Sequence, residues 1–124
     1  VILCIGETSS DKGKNKTKKV IERQIITALK NNNIKENLFI AYEPVWAIGS
    51  GIIPTNKELK FNLDLIKKIL SKIGKKNIDI LYGGSVNPKN INSLIKIKTL
   101  KGFLVGTASL NTKKFIDIIK KLIN

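Results

Sequence analysis

Leu38-Phe39-Ile40-Ala41-Tyr42-Glu43-Pro44-Val45-Trp46-Ala47-Ile48-Gly49-Ser50-Gly51 joins an apolar run to a glycine-bearing segment through a single carboxylate. Leu38 to Tyr42 reads as a short apolar strand. Glu43 to Pro54 then reads as a long loop, with glycines at 49 and 51. Thr55 and Glu58 make a capping-box pattern that starts a helix. The apolar stripe of that helix is Leu59, Leu63, Ile66, Leu70 and Ile73. Gly74 is a natural stop, because glycine adopts the left-handed conformation that ends a helix. The stretch is therefore one strand–loop–helix unit with a carboxylate at the carboxyl end of its strand.

The same unit recurs on both sides. Val1 to Ile5 is a continuous apolar run, as expected of a strand buried on both faces. A polar stretch, Gly6 to Lys16, leads into Ile21, Ile25, Ala28 and Leu29 at helical spacing, and Asn31, Asn32 and Asn33 end that helix. Downstream, Ile78 to Tyr82 is a third strand, followed by a tight Gly83-Gly84-Ser85 turn. Asn87 then Pro88 reads as an N-cap with proline in the first turn of a short helix through Leu94 and Ile95. Phe103 to Val105 is a fourth strand, followed by Gly106-Thr107-Ala108-Ser109. Asn111 or Thr112 caps a last helix with an inner face of Phe115, Ile118, Ile119 and Leu122. Strands alternating with helices imply an α/β fold with a parallel sheet. Nothing linker-like divides residues 1–124, which read as one domain. Two architectures fit the pattern: an open doubly wound sheet, or half of a (β/α)8 barrel.

Composition narrows the classes of function. Hydrophobic residues make up 42% of the chain, enough for a core. No run of about 18 apolar residues is present, so no transmembrane helix and no membrane partner are expected. There is no basic-apolar-small leader, and the chain opens at Val1 without a methionine, which reads as a truncated N-terminus. With Cys4 the only cysteine, no internal disulfide can form, and a reduced, cytoplasmic protein is expected. With no histidine and one cysteine, no metal site and no metal cofactor are expected. The net charge of +14 comes almost wholly from lysine, Arg23 being the only arginine. Lysine, asparagine and isoleucine share A/T-rich codons, so coding bias accounts for the charge without a nucleic-acid partner. The densest clusters, Lys12 to Lys19 and Lys72 to Lys76, read as solvated loops or helix ends. A basic nucleic-acid-binding domain would concentrate charge on one surface, and its binding would weaken steeply with salt.

The loops carry the chemistry. In parallel α/β folds, ligands bind at the carboxyl ends of the strands. Glu43, Gly83 to Ser85, and Gly106 with Thr107 all sit there. Glycines let backbone N–H groups approach a ligand closely, and several N–H groups aimed together make a phosphate site. On this ground alone, the site suits a phosphorylated small molecule beside a carboxylate base.

The wording of the motifs is more specific. Ala41-Tyr42-Glu43-Pro44-Val45-Trp46-Ala47-Ile48-Gly49-Ser50-Gly51 is similar to the strand-six and loop-six signature of triose-phosphate isomerases. Cys4-Ile5-Gly6-Glu7 resembles the end of that family's strand five, and Tyr82-Gly83-Gly84-Ser85-Val86 its strand-seven turn. Gly102 to Leu110 resembles its strand-eight segment. The resemblance covers the whole chain and implies the C-terminal half of a TIM barrel, strands five to eight. It also implies an isomerase of glycolysis and gluconeogenesis that interconverts dihydroxyacetone phosphate and glyceraldehyde 3-phosphate without a cofactor. Glu43 would be the catalytic base. Gly49, Ser85, Gly106 and Thr107 would donate backbone N–H groups to the substrate phosphate. Pro44, Val45, Trp46, Ala47, Ile48, Ser50 and Gly51 would belong to a lid loop, with Pro44 to Trp46 as its hinge. Cys4 would be a small core residue near the site, and Glu7 would make a structural ion pair.

Three departures stand out. Thr107 replaces the family's usual second glycine, and would be strained at positive φ. Pro54 stands where the family often donates an N–H to the strand-seven tyrosine, here Tyr82, and proline has none. The family's lysine after strand one and histidine after strand four are absent, as are strands one to four. The chain alone is therefore expected to be inactive, with the missing N-terminal half as its partner and a homodimer as the complete protein. The alternative is a phosphate-binding half barrel or decayed paralogue without isomerase activity.

Overall fold

The computed structural model describes residues 1–32 and 37–123. Strands β1 (Ile2–Ile5), β2 (Phe39–Tyr42), β3 (Asp79–Gly83) and β4 (Leu100–Leu104) form one sheet in chain order. All three pairings are parallel, with Ile5 beside Tyr42, Tyr42 beside Tyr82, and Tyr82 beside Phe103. An open doubly wound sheet reverses its strand order at a switch point. This order never reverses, which is consistent with a sector of a (β/α) barrel.

The helices are α1 (Ser9–Gly13), α2 (Thr17–Leu29), α3 (Asn56–Lys72), α4 (Ile91–Leu94) and α5 (Thr112–Ile123). The expected starts and stops are largely present. Thr55 accepts from the Glu58 N–H at 3.2 Å, and Gly74 has φ +76° just beyond α3. Asn111 caps α5 by accepting from the Lys114 N–H at 3.0 Å. The Asn87 side chain accepts from Lys89 N and Asn90 N, organising the turn that enters α4. Helix α1 was not legible as a helix within Gly6 to Lys16. Thr8 and Asp11 form a reciprocal capping box that creates it. Asn31 and Asn32 follow α2 as expected, whereas Asn33 lies outside the described residues. Among the described residues no helix is long and apolar enough to cross a membrane.

The core lies between one face of the sheet and the helices. Ile5, Ile40, Tyr42, Ile80 and Tyr82 supply the strand side. Ile21, Ile25 and Leu29 of α2, Leu59, Leu63, Ile66 and Leu70 of α3, and Ile91 and Leu94 of α4 supply the helix side. The other sheet face is open, contrary to the expectation of strands buried on both faces. Ile2 and Cys4 are exposed, while Phe39, Leu81 and Leu104 are half-buried. Nothing among the described residues lies opposite that face. The last helix departs in the same way: of its expected inner face only Ile118 is buried, and Phe115, Ile119 and Leu122 remain exposed. No described helix packs on its far side.

Ile66→Ala in the complete protein should lower the unfolding free energy by about 2–5 kcal/mol, since a fully buried aliphatic side chain is lost and a cavity remains. Phe61→Ala, 69% exposed on the same helix, should change it by less than about 0.5 kcal/mol. Denaturant unfolding of both variants checks this pair.

Candidate active site

The β1–β2 ladder runs past the ends of both strands. Glu43 N donates to Ile5 O at 2.7 Å, and Val45 N donates to Glu7 O at 2.9 Å. Gly6 makes this approach possible, because a Cβ there would overlap the Glu43 carbonyl. The side chain of Glu43 lies against Gly83 at the end of β3, where a Cβ would overlap its carboxylate. Two glycines thus fix where the carboxylate sits, one through its main chain and one through its side chain.

Glu43 opens onto a cleft of about 1030 Å³. Gly49, Ser85, Gly106 and Thr107 line the same cleft, together with Ile48 and Gly51 of the loop. The residues chosen from sequence as base and phosphate donors are therefore neighbours in space. Among the described residues, no backbone carbonyl accepts from the N–H groups of Gly49, Ser85 or Gly106. Lys89, Lys113 and Lys114 also border the cleft, together with the carboxylates Glu43 and Asp117, leaving a small excess of positive charge.

The loop after Glu43 is tied down along its length. Pro44 leads into a single 3-10 turn, Val45–Ala47, in which Ala47 is buried. Gly49 (φ +67°) and Gly51 (φ +78°) occupy the left-handed region that other residues avoid. Ser85 holds the middle of the loop: its Oγ donates to Ala47 O at 2.6 Å and accepts from Gly51 N at 2.9 Å. Ser85 itself has φ +49°. Its carbonyl accepts from both Asn87 Nδ2 and Asn90 Nδ2, each at 2.9 Å, which holds this unusual peptide in place. The side-chain role of Ser85 was not legible in the sequence. Thr107, where strain was feared, is not among the positive-φ residues and starts a 3-10 turn, Thr107–Leu110. The strain falls on Ser85 instead.

Glu7 departs from expectation. It is fully buried, and its partners are neutral donors rather than a cation. Tyr42 Oη lies 3.1 Å from Glu7 Oε2, and Trp46 Nε1 donates to Glu7 Oε1 at 2.9 Å. Asn62 Nδ2 donates to the same tyrosine oxygen at 2.8 Å. Burial, then the nearby Glu7 charge, pushes the Tyr42 hydroxyl far above the ordinary phenol range. In the sequence, the one sign of this role for Asn62 is a polar residue set among Leu59, Leu63 and Ile66 on the apolar stripe of α3. Trp46 is half-buried, so it packs and hydrogen-bonds at once. Tyr82 Oη is buried and without a hydrogen-bond partner among the described residues. Burial, then the nearby Glu43 charge, raises the pKa of that hydroxyl as well.

Cys4 is exposed rather than part of the core, because it points to the open face of the sheet. Partial desolvation raises its thiol pKa, and so does the Glu43 carboxylate, as hydrogen-bond acceptor and as a negative charge. Among the described residues no three Asp, Glu or Cys side chains cluster as a metal would require.

The sequence model of the family described as triosephosphate isomerase matches residues 1–122. Triosephosphate isomerase of Thermodesulfovibrio yellowstonii is 46% identical over 123 residues, covering 97% of this chain and 50% of that protein. The Mycoplasma mobile enzyme of the same name is 47% identical over 119 residues, covering 96% and 48% respectively. That of Legionella pneumophila strain Paris is 38% identical over 123 residues, covering 96% and 49%. The chain spans about half the length of the curated relatives it matches.

Glu43→Gln should lower the Cys4 pKa, since it removes the negative charge that disfavours the thiolate. More thiolate at pH 8 means faster alkylation by iodoacetamide. The rate at Cys4, followed by peptide mass spectrometry, checks the sign.

Proposed function

This chain belongs to the triosephosphate isomerase family, and we propose that it is the C-terminal half of such an isomerase, carrying the base and the phosphate cradle. Glu43 takes a proton from one carbon of dihydroxyacetone phosphate and returns it to the adjacent carbon, giving glyceraldehyde 3-phosphate. The N–H groups of Gly49, Ser85, Gly106 and Thr107 hold the phosphate. The loop from Pro44 to Gly51 closes over the substrate and excludes water. The observation that supports this reading is the single cleft shared by Glu43 and all four phosphate donors.

The other half supplies the two groups that the family resemblance places on strands absent here: the lysine after strand one and the histidine after strand four that polarises the carbonyl. Strands one to four would pair with β1 and β4 and cover the open inner face. A complete barrel has about 250 residues, and the chain spans about half of its relatives. The placement as the second half rests on the order of the strand-end motifs alone. The whole protein is a homodimer of the cytoplasm, acting in glycolysis and gluconeogenesis without a cofactor. The single free thiol of Cys4 fits that compartment.

The native protein should extend before Val1 by roughly another half barrel, and the complete protein should isomerise triose phosphates. Glu43→Gln should cost about 10²–10⁴-fold in kcat, and the 124-residue chain alone should not turn over. Peptide mapping of the native protein and a coupled assay test these points. An extension lying after Asn124 instead would overturn the placement. An inactive complete protein that still binds inorganic phosphate would favour a binding-only half barrel.

The lid latch should differ from the family's usual one. Pro54 offers no N–H to Tyr82, whose hydroxyl finds no described partner. Tyr82→Phe should therefore leave kcat within about threefold, and removing a buried unsatisfied hydroxyl should not destabilise the protein. A loss of about a hundredfold in turnover, roughly 2.7 kcal/mol, would show that the hydroxyl still latches the lid.

A further inference from the structure

The two ends of the lid are bridged by a residue from a third segment. Lys12 Nζ sits 3.7 Å from the centroid of the Trp46 ring. The same ammonium is 2.8 Å from Glu58 Oε1 in the first turn of α3. Trp46 belongs to the entry hinge of the lid. Helix α3 begins directly after its exit, since Pro54 is followed by the N-cap Thr55. The edge of the same indole is held by Glu7, which receives Tyr42, which receives Asn62. Glu58 and Asn62 are one turn apart on α3, so the contacts close into a ring. It runs from Glu58 through Lys12, Trp46, Glu7 and Tyr42 to Asn62 and back into the same helix. Lys12 is delivered to this position by α1, whose Thr8–Asp11 capping box fixes the turn that carries it.

We infer that Lys12 is a positioning residue for the lid: it clamps the face of the Trp46 indole to α3 while Glu7 clamps its edge. The inference rests on the isomerase reading above and adds to it a residue that touches neither substrate nor base. A cation over an indole face and an ion pair at partly exposed positions are each modest. Acting on one hinge, they bias the lid before substrate arrives. Loosening the hinge makes every closure carry an ordering cost, which weakens ground state and transition state alike. Such a loss raises KM and leaves kcat in place.

In the complete protein, Lys12→Gln should raise KM for glyceraldehyde 3-phosphate by roughly three- to tenfold with kcat changed by less than about twofold. Lys12→Arg should restore most of the loss, because a guanidinium can both stack and pair. Glu58→Gln should raise KM too, and the Lys12→Gln/Glu58→Gln double variant should be no worse than Lys12→Gln alone. Fluorine NMR of 5-fluorotryptophan protein, with the Trp46 signal assigned by Trp46→Phe, reads the clamp without catalysis. That signal should shift and broaden in Lys12→Gln and return in Lys12→Arg. An unchanged KM with an unchanged fluorine signal would overturn the inference. So would a lowered melting temperature with KM intact, or strictly additive losses in the double variant. If the unaltered complete protein proves not to be an isomerase, that reading fails, and the fluorine signal alone decides the clamp.

Discussion

A carboxylate removed from water must be satisfied by its surroundings, and the burial of Glu7 organises much of this molecule. Its acceptors draw in Tyr42 from β2 and Trp46 from the loop after it. Tyr42 in turn fixes Asn62 on α3. A single buried charge therefore connects the loop after β1, the second strand, the entry to the lid and the helix beyond the lid. Its backbone takes part as well, because Glu7 O accepts from Val45 N and continues the parallel ladder beyond the strands. The indole and phenol are suited to this place, since each buries a large apolar body and offers one polar contact.

The carboxylate proposed as the base is placed by a different device. Glu43 is positioned by what is missing around it, the side chains of Gly6 and Gly83. Neither glycine needs an unusual φ, so their role is space rather than conformational freedom. The glycines of the lid differ: Gly49 and Gly51 lie in open space but have positive φ, so their role is conformation. Between them and the strand-three turn, the Ser85 hydroxyl couples the loop after β2 to the turn after β3 through Ala47 and Gly51. One residue type thus serves the site in two physically distinct ways.

Apolar surface remains exposed at one end of the fold. β1 and β4 have free edges among the described residues, and α5 shows Phe115, Ile119 and Leu122 to solvent. Free strand edges and uncovered apolar faces favour further association. The core on the helix side is nonetheless well formed, because α2, α3 and α4 bury apolar side chains in it.

The sequence by itself determined the order of the strands and the three long helices, since apolar runs, helical spacing and the Thr55 and Asn111 caps are local properties. It also singled out Glu43, Gly83 to Ser85, Gly106 and Thr107, because carboxyl ends of parallel strands and glycine turns can be read along the chain, while Gly49 entered only through the family resemblance. Burial could not be read in this way. Cys4, Phe115, Ile119 and Leu122 look like core residues, but a core position exists only where something lies opposite. Nor could the partners of Glu7, which lie about 35 to 39 residues away, or the meeting of Lys12 with Trp46 and Glu58. Those contacts depend on how far a ladder runs past its strands and on which helix faces turn toward one another. Only the tertiary structure decides such distances, because no local spacing in the chain encodes them.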